Sequence, residues 1–307
     1  MSVPLNFVTG SPQWTASVSP ANLTSKWLTV TPTLASGSSP VNLQANTAGL
    51  SPGVYTAVVS IQAVDALPQV VNVPVTLVVG GSSTTQITAV SNAFSGGATA
   101  APGMFLSVYG AQLANATAQA TQLPLPLSMS GVSATVNGFS APLYYVSPGQ
   151  INLQVPYEAG AGPAMLAINN NGQIAAFPFQ VAAAAPGLLP TAYDNSTGAP
   201  VSTAQAGGDG VLLLFMTGEG DVTPTLATGA TPSSTVTDPT KLPHSRLPLT
   251  MTIGGVSVTP LFAGIPSGLV AETQIDFQVP AGVPAGKQPV VVTVGGVSAN
   301  TIFLNIQ

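Results

Sequence analysis

Two near-identical heptapeptides, Gln150-Ile-Asn-Leu-Gln-Val-Pro156 and Gln274-Ile-Asp-Phe-Gln-Val-Pro280, constrain this 307-residue chain more than any other feature. In each, apolar residues (Ile151, Leu153, Val155; Ile275, Phe277, Val279) alternate with polar ones, the period-two signature of a half-buried strand. Each ends at a proline, which has no amide to donate to a sheet ladder and so closes the strand. The surroundings repeat as well. Thr135-Val-Asn-Gly138 and Thr252-Ile-Gly-Gly255 read as hairpin turns, and Met104-Phe-Leu-Ser-Val-Tyr-Gly110 matches Leu212-Leu-Leu-Phe-Met-Thr-Gly218. The chain therefore contains an internal duplication of all-β units.

Charged residues make up only 4% of the chain, against about 25% in ordinary globular proteins. Hydrophobic residues make up 45%, which sets it apart from disordered chains of low hydrophobicity and high charge. Its 32 glycines and 29 prolines lie between short apolar stretches and mark many strands and many turns. Ser, Thr, Asn, Gln and Gly must then cover the surface, leaving little charge to repel neighbours or guard sheet edges. Such a surface suits a chain that packs against other chains, or one that lives outside the cell under a sugar coat.

The net charge of −5 is carried mostly beyond residue 186. With Lys26, Lys241, Arg246 and Lys287 as the only bases, no patch exists to neutralise phosphates, which argues against nucleic-acid partners. The absence of cysteine excludes disulfides and thiolate metal sites. No apolar run approaches the length of a helical membrane span, so none is expected. Met1-Ser-Val-Pro lacks the features of a signal region, so an extracellular location requires a signal outside this sequence.

Residues 1–80 read as a small β-domain with strands Val3–Val8, Trp14–Val18, Trp27–Val30, Val41–Ala45, Val54–Gln62 and Val70–Val79. Three segments, Trp14-Thr-Ala-Ser-Val, Trp27-Leu-Thr-Val-Thr-Pro32 and Leu50-Ser-Pro-Gly-Val-Tyr-Thr56, with the Val-Pro-Val-Thr-Leu strand at 73–77, resemble the carbohydrate-associated Ig-like modules called BACON domains. Those modules usually carry one more strand than the six counted here. Either the deficit is filled by a strand from another copy, with Val3, Leu5 and Phe7 as the exchanged contacts, or the count is short, or Met1–Phe7 folds back in cis. The last two are the plainer readings.

Residues 81–86 lie in a Gly-Ser-Thr linker, and two further domains follow, 87–185 and 186–307. The last carries a polar insertion over 218–247, a length typical of functional or mobile loops. Ala101-Pro-Gly103, Tyr144-Tyr-Val-Ser-Pro-Gly-Gln-Ile-Asn-Leu-Gln-Val-Pro156, Phe215-Met-Thr-Gly-Glu-Gly220 and Gln274–Pro280 resemble an uncharacterised C-terminal domain of secreted proteins from Solibacter-type Acidobacteria. Each half is also similar to Ig-like IPT/TIG modules. These resemblances imply three tandem immunoglobulin-like β-sandwiches in an extracellular protein, with no catalytic residues to carry over.

The chemistry-bearing residues are few. His244, the only histidine, sits in the insertion without a Gly-x-Ser-x-Gly elbow and reads as an exposed loop residue. Glu219 with Asp221, or Glu272 with Asp276, are the carboxylate pairs a glycosidase would need, but Asp276 stands where the first repeat has Asn152, as on a solvated strand face. Asp209, Glu219, Asp221 and Asp238 lie in Gly-rich loops and are candidate calcium ligands, although without calcium-loop spacing; solvated turn acids are the plainer reading. Trp27 reads as core and Trp14 as a possible sugar-stacking residue. Of Tyr144 and Tyr145, strand alternation buries one and exposes the other as a contact for a neighbour. The sequons at Asn22, Asn115 and Asn195 read as chance. These features favour a non-enzymatic structural protein that self-associates into a filament or surface layer, with a carbohydrate-binding or adhesion module as the alternative. No cofactor is expected beyond calcium.

Overall fold

In a computed structural model that describes residues 1–20, 26–80 and 84–307, the chain is all-β and forms three immunoglobulin-like sandwiches. These divide into two compact units, one of Met1–Ser83 with Gly172–Ala176, the other of Thr84–Asn171 with Phe177–Gln307. Residues 81–83 of the expected linker and the Asn22 sequon lie outside the described residues.

The first sandwich faces a three-stranded sheet (Ser2–Leu5, Ser39–Ala45, Leu28–Thr31) with a four-stranded one (Leu34–Ser36, Gln13–Pro20, Gly53–Gln62, Val70–Val79). Alternation dictates the core: Tyr55, Ala57, Val59 and Ile61 point inward from one strand and meet Leu28, Val30, Val41 and Leu43 from the opposite sheet. All six expected strands are present, and a seventh, Leu34–Ser36, pairs with Gln13–Thr15. The count of six was therefore short, because three residues between Pro32 and Gly37 are too few to show a period. Ser2–Leu5 pairs in cis with Ser39–Asn42, and the Met1 ammonium donates to Leu43 O at 2.9 Å. Val3, Leu5 and Phe7 are half-buried against their own core, which corrects their assignment as contacts to another copy. Trp14 is corrected too. It is 1% exposed, and its indole Nε1 donates to Gly37 O at 2.9 Å, so no face is left for a sugar.

The second and third sandwiches repeat one plan. Gln150–Gln154 pairs antiparallel with Phe105–Ala111, placing Ile151 opposite Val108 and Leu153 opposite Leu106. Thr273–Phe277 pairs likewise with Leu212–Thr217, placing Ile275 opposite Leu214 and Phe277 opposite Leu212. The same side-chain bond recurs on the polar face: Gln150 Nε2 to Asn152 Oδ1 and Gln274 Nε2 to Asp276 Oδ1, both 2.8 Å. Facing sheets complete the cores through Val132, Ala134, Val136, Leu166 and Ile168 in one case, and Met251, Ile253, Val290, Val292 and Val294 in the other. Both expected hairpins form, with positive φ at Asn137 and Gly138 and at Gly254 and Gly255, as a two-residue primed turn requires.

Because Trp14 is fully enclosed, Trp14→Ala should destabilise the first sandwich by about 3–5 kcal/mol. In denaturant titrations of the whole chain, the transition assigned to the first sandwich should move to lower denaturant while that of the second unit stays in place.

Candidate functional site

The segment Phe215-Met-Thr-Gly-Glu-Gly220 runs off the end of the Leu212–Thr217 strand into the seam between the second and third sandwiches, which share one compact unit. Thr217 is fully buried there. Its Oγ1 accepts from Phe105 N at 2.9 Å and donates to Ala271 O at 2.6 Å, joining one sandwich to the other through a single hydroxyl. Gly218 and Gly220 have φ of +92° and +81°, and a Cβ on either would collide with a backbone oxygen of the connector, Ala185 O and Ala183 O respectively. The same connector is held by Ala185 N donating to Gly218 O and by buried Asn92, whose Nδ2 donates to Ala185 O, both at 2.9 Å. Phe105, Leu125, Val270 and Ala271 form a separate apolar cluster in this seam.

The polar insertion is a clasp. Val222–Thr223 pairs with His244–Ser245 at its base, and the chain beyond reaches the second sandwich. There Gly229 O accepts from Leu125 N at 2.8 Å, and Gly229 N donates to Gln154 Oε1 at 2.6 Å. Thr228 Oγ1 accepts from Tyr157 N at 3.1 Å and donates to Glu158 Oε2 at 2.7 Å. Gln154, wholly buried, also donates from Nε2 to Gly103 O at 3.1 Å. Its counterpart Gln278 is half-buried and bonds within its own sandwich, Nε2 to Asp209 O at 2.8 Å. Sequence reasoning missed Thr217, Gln154 and Thr228. The one available signal was that Gln154 precedes Val-Pro-Tyr, while Gln278 precedes Val-Pro-Ala.

A cleft of about 230 Å³ opens beside the clasp, lined by Tyr157, Asp221, Val222, Thr225, Leu226 and Arg246. Arg246 is fixed at its rim, Nε donating to Val222 O at 3.1 Å and its amide to Asp221 O at 2.9 Å. Burial, and then the charges of Glu219, Asp221 and Glu158, push the Tyr157 phenol well above its usual range. Glu219 is 5% exposed, and burial raises its carboxyl to about 7, partly offset by hydrogen bonds from the Thr273 side chain and the Ser245 backbone. Its Oε2 finds no hydrogen-bond partner among the described residues. Burial alone raises Glu272 to about 7.

The four candidate calcium ligands lie apart from one another. Glu219 lies in the seam and Asp221 at the cleft, while Asp238 caps the Pro239–Lys241 turn and pairs with Lys241 at 3.8 Å. Asp209 lines a different hollow of about 280 Å³, beside Asp194. Among the described residues no three His, Cys, Asp or Glu side chains are grouped to hold an ion. Of the carboxylate pairs, Glu219 is enclosed while Asp221 is exposed, and Asp276 is engaged by Gln274. His244 is half-buried, its Nδ1 3.1 Å from Leu242 O, rather than exposed as expected. Tyr144 and Tyr145 do not divide into buried and exposed. A register shift makes Tyr144 the extra residue of a bulge, so Tyr144 is 36% exposed and Tyr145 half-buried. The Tyr144 ring packs 5.2 Å from Phe105, and its hydroxyl accepts from Gln119 Nε2 at 3.0 Å.

No protein-family model matches this sequence, and neither does any curated protein. Similar solved structures include the three-Ig titin fragment I67–I69 (10% identity, 97% of this chain and 92% of that one, TM-score 0.22). A second is SGBP-B from a complex xyloglucan utilization locus in Bacteroides uniformis (13% identity, 72% and 48%, TM-score 0.23). A third is an endo-fucoidan hydrolase of glycoside hydrolase family 107 (13% identity, 95% and 38%, TM-score 0.17). Likeness at this level assigns no function.

Thr217→Val should cost about 2–4 kcal/mol in unfolding of the second unit, because it orphans Phe105 N and Ala271 O at about 1–3 kcal/mol each, whereas Thr217→Ser should be mild. Gln154→Ala should cost about 1–3 kcal/mol and Gln278→Ala less than about 0.5, although the two occupy equivalent repeat positions. Equal costs in chemical denaturation would mean that the seam contributes nothing at Gln154.

Proposed function

We propose that this chain is a non-enzymatic structural protein of the cell surface or extracellular space, whose copies associate through apolar, charge-poor faces and strand edges into a filament or surface layer. The observation that carries this reading is the Val70–Val79 strand. It lies at the end of its four-stranded sheet and runs ten residues without a charge, with Val70 47% and Val71 41% exposed. Uncharged edges of that length lack the lysines with which soluble sheets resist pairing, and Pro74 is its one built-in interruption. The clasped seam supports a structural role, since it ties the second and third sandwiches into one compact unit. The enclosed Glu219 and the engaged Asp276 argue against hydrolysis. Burial of both tryptophans weakens the glycan-binding alternative. The acidobacterial family resemblance in the two C-terminal sandwiches fits an extracellular setting.

Electron microscopy and light scattering of the full chain test this reading. Assemblies that persist in high salt and disperse in Val70→Lys or Val71→Lys are expected. A monomer of the chain mass, 30.5 kDa, under all conditions would overturn self-association, and a glycan that binds this monomer would establish the alternative.

A further inference from the structure

The seam contains an acid that its surroundings do not neutralise. Glu219 follows Gly218, whose backbone is wedged against Ala185, so the side chain is delivered into the interface rather than to solvent. Thr273 and Ser245 satisfy part of the carboxyl, while Oε2 is buried with no partner among the described residues. The groups on the elements packed around it are mostly acidic or neutral: Tyr157 and Glu158 from the Tyr157–Ala159 turn, Asp221 on its own segment, and Glu272 next to Thr273. The bases nearby are Arg246, whose Nε is taken by Val222 O, and His244, whose Nδ1 lies against Leu242 O.

We propose that the junction between the second and third sandwiches is held by a proton on Glu219, so that acid locks the clasp and its ionisation loosens it. A neutral carboxyl sits in this pocket at little cost, whereas a carboxylate brings a charge into a buried site where Oε2 finds no partner among the described residues. The direction follows from linkage. Glu219 titrates near 7 when the seam is closed and near its ordinary 4.5 when it opens to water, so the closed form binds more protons between those values. Closure is therefore strongest at acid pH, weakens as pH rises from about 4.5 to about 7, and levels off above that. Glu272, raised by burial to about 7, acts in the same direction, while Asp194 and Asp238 act the other way. Local hydrogen bonds lower both, so their contribution is lost only as pH falls below the ordinary carboxylate range.

The test is amide exchange by NMR on the full chain, corrected for intrinsic rates. The Phe105 and Gly229 amides, which donate across the seam to Thr217 and Gln154, should lose protection on the order of fiftyfold between about pH 5 and pH 8. Amides in the cores, such as Ile151 and Val292, should not change in step. Glu219→Gln, which mimics the protonated acid, should markedly reduce the dependence. Seam amides whose protection is constant with pH in the unmodified protein would overturn the proposal, whether or not Glu219→Gln folds. So would a pH dependence of undiminished size in Glu219→Gln.

Discussion

Where two sandwiches meet, their strands bring backbone amides and carbonyls into a buried seam, and each of those groups needs a partner. Much of the second unit's organisation follows from that requirement. Thr217 supplies one hydroxyl that accepts from one sandwich and donates to a carbonyl at the edge of the other sandwich's seam. Gln154 uses both ends of its amide in the same way, taking the Gly229 amide of the clasp and the Gly103 carbonyl of its own sandwich. The adjoining glycines have no Cβ because the connector's carbonyls occupy that space. A single methyl at Gly218 or Gly220 would force the two segments apart.

Charge poverty and the seam are linked. A chain with four bases has little means of compensating a buried acid, and burial pushes the Glu219 carboxyl up to about 7. The same poverty leaves the Val70–Val79 edge without charged guards, which ties the proposed association of copies to the surface composition. Hydrogen bonding between uncharged side chains and backbone does the work that salt bridges share in most domains.

The fold was largely legible. The six strands read in the first sandwich are all present, and the two heptapeptides pair with matching strands in matching register. Period-two alternation reports which way side chains face along one strand, and that information is local. The site was much less legible. Trp14 looked available because a strand alone does not say whether a facing sheet covers it, and the bulge at Tyr144 breaks the alternation on which its facing was judged. Residues 218–247 looked like a solvated loop because Thr, Ser and Pro hydrogen-bond to water or to a neighbouring domain equally well.

The sequence by itself determined the class of fold, the duplication, the hairpins and the absence of thiol or polybasic chemistry, since each depends on composition or on spacing within a few residues. Only the tertiary structure decided that Gln154 is a buried clamp while Gln278 stays on its own domain, and that Glu219 is buried in the seam. Equivalent residues in the two repeats have the same local pattern. They differ because a second sandwich covers one and not the other, and burial by a distant segment leaves no periodic trace in the strand it covers.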